Sequence, residues 1–73
     1  MTVKIIAGSW AKNYNMPDEL DLKDGASISD ALAELAVPAG EIGLTSINGK
    51  ASPRDAELRG GDRLELYPVI VDG

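Results

Sequence analysis

Ile28, Ala31, Leu32 and Leu35 stand at i, i+3, i+4 and i+7, and this one apolar stripe does most to limit what the chain can become. It predicts a single short amphipathic helix. Ser27 is placed as its N-cap, and Asp30, three residues on, gives a shortened capping box and complements the helix dipole. Pro38 is expected to end it, because proline excludes the α region at the residue before it, which leaves about ten residues of helix.

Everything else reads as short strands and turns. Residues 3–7 are a β-branched apolar run interrupted by Gly8-Ser9. Residues 8–17 are loop-like, with Asn13, Asn15 and Pro17 as breakers among Trp10, Tyr14 and Met16. Residues 19–23 alternate at period two, with Leu20 and Leu22 inward, and Asp24-Gly25 closes that element as a turn. Residues 42–47 are apolar enough for a central strand, and Asn48-Gly49 is the strongest two-residue hairpin signal in the chain. Lys50-Ala51 is a short return strand. Leu58 is an isolated apolar anchor, and Gly60-Gly61-Asp62 turns into a last strand at residues 63–67.

The order strand, strand, helix, strand, short strand, strand indicates α+β, with one helix across a mixed sheet of four to five strands. A first hairpin, a crossing helix and a last strand returning to the middle describe a β-grasp, the ubiquitin-like architecture. A ferredoxin-like fold needs a second helix of similar length, and residues 50–62, with Pro53, Gly60 and Gly61, do not offer one. Residues 1–67 are therefore expected to form the domain. Residues 68–73 are expected to form a projecting tail, because Pro68 cannot donate to a ladder and is a natural point to leave a sheet.

Composition narrows the function. Seventy-three residues make one domain near the lower limit for an unstapled core. Cysteine and histidine are absent, which removes thiol chemistry, the commonest general base and the commonest metal ligand. No catalytic triad or metal-ligand spacing is visible, so the chain is expected to be a substrate or binder and not an enzyme, with no bound cofactor or metal. A net charge of −5 argues against nucleic acid and against an anionic membrane surface. No apolar segment approaches spanning length, and the first residues lack a signal-peptide layout, so a cytoplasmic location is expected. The acidic residues Asp18, Glu19, Asp21 and Asp24 lack the spacing of a calcium loop and read as a solvated face.

The stretch Ile47-Asn48-Gly49, then Leu58, then residues 60–68, resembles the signature of the MoaD/ThiS family of sulfur carriers. The likeness runs from Glu19 onward and is weaker over residues 8–17. It implies a β-grasp protein whose terminal glycine, here Gly73, is adenylated with ATP by a MoeB/ThiF-like enzyme and then thiocarboxylated. The sulfur would go to an acceptor synthase, the molybdopterin synthase large subunit or thiazole synthase. Pro68, Val69, Ile70, Val71 and Asp72 would guide the tail into the partner, six extended residues reaching roughly 20 Å. One departure stands out. The family pattern ends Gly-Gly, whereas this chain ends Asp72-Gly73.

A second resemblance runs through Val37-Pro38, Glu41-Ile42-Gly43-Leu44 and Ile47-Asn48-Gly49, to ubiquitin-like modules fused to nuclease-like domains. It implies a non-covalent interaction module that binds through its sheet face, with no chemistry at Gly73. A protein modifier conjugated through the same activated terminus is the third possibility.

Overall fold

Ser27 caps the helix from both sides. Its Oγ accepts the Asp30 N–H at 3.2 Å, and its own N–H donates to Asp30 Oδ2 at 2.9 Å. This reciprocal box satisfies donors that a helix start leaves without partners. The helix, α1, spans Ile28–Leu35 in a computed structural model that describes residues 1–69. It buries the four stripe residues, as the spacing predicts.

Its end differs from expectation. Ala36 turns left-handed at φ 58°, Val37 N–H reaches Leu32 O at 3.4 Å, and Ala36 N–H reaches Ala33 O at 3.2 Å. This is a Schellman closure, with Val37 and Leu32 buried beside it. The helix therefore stops two residues before Pro38 can act, and alanine occupies a position that glycine usually takes.

Five strands form one mixed sheet: β1 Thr2–Ala7, β2 Glu19–Asp21, β3 Ile42–Ile47, β4 Lys50–Ala51 and β5 Arg63–Pro68. Their order is β2-β1-β5-β3-β4. The last strand lies in the middle, parallel to β1 and antiparallel to β3, which is the β-grasp topology. Two 3-10 turns, Ser9–Tyr14 and Ala39–Glu41, replace what reads as plain loop. The second strand also stops at Asp21, short of Lys23. Leu22 still enters the core from the following turn.

Alternation puts Val3 and Ile5 of β1 and Leu64 and Leu66 of β5 under the helix. Leu58, 1% exposed, plugs the remaining side, and its N–H donates to Ala26 O at 2.8 Å. That anchor ties the long segment between β4 and β5 to the helix entry. The Asn48-Gly49 hairpin has φ of 53° and 85°, the pair of positive values a type I′ turn requires.

Candidate functional site

The end of β5 is held where the sequence suggests it would leave. Pro68 is the last residue of the strand and lies opposite Ile42, and Val69 N–H donates to Glu41 O at 3.1 Å. Pro68 and Val69 are therefore held against β3, and their placement in a free tail is corrected. The reason is the direction of the ladder. Arg63 O accepts from Asn48 N–H and Val69 donates to Glu41, so odd-numbered residues of β5 face β3. The Pro68 nitrogen turns the other way, toward β1, whose pairing has already ended at Ala7 opposite Leu66. Its missing N–H costs the sheet nothing.

A bulge makes room for this seat. The β3–β5 register slips between Ile42 and Leu44, leaving Gly43 against the Pro68–Val69 backbone. A Cβ at Gly43 would stand 2.9 Å from Pro68 O and 3.1 Å from Val69 Cα. Only glycine allows that approach. Ile70, Val71, Asp72 and Gly73 lie outside the described residues.

Beside this root, the face of the sheet away from α1 is apolar. Leu44 and Tyr67 are cross-strand neighbours, and Ile6 lies one row along. With Val69, all four side chains are about half exposed. A groove of about 260 Å³ at the ends of β1 and β5 is lined by Ile6, Ala7, Trp10, Tyr67 and Pro68. Trp10 packs against the core beside it, edge-on to Tyr14 with ring centroids 6.0 Å apart. Exposed apolar clusters of this kind mark interaction sites. Sequence reading anticipates partner contacts on the sheet face without naming residues. Parity could have named them, since Ile6 and Tyr67 alternate with the inward Ile5 and Leu66.

The polar part of the face is organised by Glu65. Its Oε1 accepts the Ser46 hydroxyl at 2.6 Å and the Gly49 N–H at 2.6 Å. The Ser46 bond, then the Gly49 bond, with help from the charge of Arg63, hold its carboxyl below the usual glutamate range. Lys4 and Arg63 are direct neighbours across the β1–β5 ladder. Asp21 and Asp24 lie 3.5 and 3.8 Å from the Met1 ammonium. Among the described residues, no group of three or more acidic side chains could hold a metal ion, and no helix is long and apolar enough to cross a membrane. The site brings together an exposed apolar surface, a groove and the seated Pro68–Val69 backbone. Such an arrangement can bind a partner.

Comparison with known proteins bears on the fold and the family. Residues 17–72 match the model of a family described as Mut7-C ubiquitin. The RnfH protein of Burkholderia mallei (strain NCTC 10229) is 42% identical over 71 residues, which cover 81% of this chain and 64% of that protein. The chain thus spans a little under two thirds of the length of the curated relative it matches. The crystal structure of SAMP1 from Haloferax volcanii superposes with a TM-score of 0.76 over 100% of both chains, at 19% identity. At that identity the likeness establishes the fold alone: a β-grasp. The matched family segment begins at Pro17, just after the loop that carries Trp10.

Proposed function

The chain belongs to the Mut7-C ubiquitin family of ubiquitin-like proteins, and within that family we propose, on the resemblance of its β5 region to sulfur carriers, that it is a sulfur carrier activated at Gly73. The observation that supports this reading best is the contact between face and tail root. Leu44 and Tyr67 lie within the same end of the β3–β5 ladder that seats Val69, so a partner gripping the face holds the start of the tail as well. Ubiquitin-like proteins work with activating enzymes, and a MoeB/ThiF-like adenylating enzyme fits that role here.

In this reading the Gly73 carboxylate attacks the α-phosphorus of ATP bound by the partner, and pyrophosphate leaves. The acyl-adenylate is the good electrophile that a carboxylate is not. Sulfide sulfur then adds at the carbonyl carbon and AMP departs, leaving a thiocarboxylate. Ile70 and Val71 give the tail an apolar grip in the partner's channel, with main-chain hydrogen bonds setting its register. An acceptor synthase for molybdopterin or thiazole would take the sulfur.

The test is the intact mass of the purified protein after incubation with its source cell extract, ATP and sulfide. The carrier reading expects one oxygen replaced by sulfur, and no such change after deletion of Gly73. An unchanged mass with the wild-type chain counts against it.

A second reading has a specific observation in its favour. Asp72 stands where the carrier pattern has glycine, and it adds a Cβ and a negative charge beside the reacting carbonyl. A non-covalent module of the family would need no chemistry there and would bind through Ile6, Leu44 and Tyr67. In that case the chain is recovered bound to a partner at unchanged mass.

A further inference from the structure

We infer that Gly43 and Glu41 form a seat that fixes the chain at Val69, so that the anchored point stands four residues from Gly73 and not six. Three contacts make the seat. The Glu41 carbonyl holds the Val69 N–H at 3.1 Å, Ile42 faces Pro68, and the bare Cα of Gly43 lets the Pro68–Val69 backbone lie against β3. β3 is itself fixed at this point from the far side, where Arg54 Nη2 donates to Ile42 O at 2.6 Å. The seat is thus braced by a long-range contact and does not depend on the tail.

Its consequence concerns the partner, and that part rests on the carrier reading. Four extended residues span roughly 14 Å at most, against roughly 20 Å for six. An enzyme that acts on Gly73 must therefore bring its reacting atoms within about 14 Å of the Val69 anchor. This calls for a shallow channel opening directly beside the Leu44–Tyr67 surface. Gly43 and Glu41 are positioning residues in this scheme. They touch no reacting atom and act through Val69.

Amide exchange measured by NMR tests the seat without any partner. The Val69 amide in the wild-type chain is expected to exchange about tenfold more slowly than in a free peptide, the factor one net backbone hydrogen bond supplies. A scalar coupling across the bond should link Val69 nitrogen to the Glu41 carbonyl carbon. Exchange at the free-peptide rate, or absence of the coupling, overturns the seat. Gly43→Ala should release Val69 while Leu64 and Leu66 amides keep their protection, a local signature that general destabilisation does not give. Gly40→Ala is the control, because a Cβ there meets nothing within 4 Å. A folded Gly43→Ala chain with Val69 still protected also overturns it. With a MoeB/ThiF-like enzyme, the same variant should lower kcat for ATP–pyrophosphate exchange about tenfold with KM unchanged, since the docking face is intact. Unchanged kcat with Val69 released refutes the positioning role. No exchange with the wild-type chain counts against the carrier reading alone and leaves the amide result standing.

Discussion

Ser46 and Glu65, opposite each other on β3 and β5, are joined side chain to side chain at 2.6 Å, and the same Glu65 oxygen closes the neighbouring hairpin through Gly49 N–H. The bond is stronger to the ionised carboxylate than to the protonated acid. The folded pKa of Glu65 therefore lies below its unfolded value of about 4.5. The stabilisation is complete above that value and is lost as pH falls through it toward the folded pKa. Urea midpoints measured from pH 7 downward should fall in that acid window. Glu65→Gln should be less stable at neutral pH and should show a flatter acid limb. An identical acid limb in both proteins would remove this network from the account of acid stability.

Ala36 offers the opposite case, a site where the sequence works against its own structure. Its left-handed conformation costs an L-residue of order 1–2 kcal/mol, and glycine escapes that cost while losing some backbone entropy on folding. Ala36→Gly is expected to raise stability by about 0.5–1 kcal/mol. Chemical denaturation at constant m-value measures it directly.

The apolar face separates binding from folding. Leu44 is 51% exposed, so Leu44→Glu should change stability by no more than about 0.5 kcal/mol. In the carrier reading the same change should raise KM for activation by roughly tenfold, the loss typical of a central contact residue. Unchanged KM would place the docking surface elsewhere.

Asp72→Gly restores the Gly-Gly ending of the resembled family. It should speed activation by a general MoeB/ThiF-like enzyme, because a carboxylate near the triphosphate is repelled. Slower activation would mean that a dedicated partner reads the aspartate.

Much of this architecture is legible in the sequence. The i, i+3, i+4, i+7 stripe, the Ser27–Asp30 box and Asn48-Gly49 are local signals whose physics is complete within a few residues. The points where sequence and structure part are non-local. Pro68 stays in the sheet because its nitrogen faces a side where β1 has already ended, a fact about three strands at once. Ala36 closes the helix because Val37 and Leu32 are buried together, which overrides alanine's preference. Residues 8–17 read as loop because a 3-10 turn has no periodic signature. The face residues Ile6, Leu44 and Tyr67 become a patch only once β5 lies between β1 and β3. Residues 42–47 carry a strand signal, yet Gly43 within it carries no local mark of the Pro68–Val69 backbone it accommodates.

The clamp on the β3–β4 turn also bears on how the molecule ages. Asparagine followed by glycine loses ammonia when the glycine nitrogen attacks the side-chain carbonyl carbon and closes a succinimide ring. Here that nitrogen is engaged by Glu65 at 2.6 Å. The carboxamide of Asn48 is held on both atoms, by Arg63 N–H at 2.9 Å and by Asp62 Oδ1 at 3.0 Å. Ring closure must wait for the turn to open, so deamidation at Asn48 proceeds through the unfolded fraction of the chain. Every substitution that weakens the domain, however far from the hairpin, shortens the chemical lifetime of residue 48.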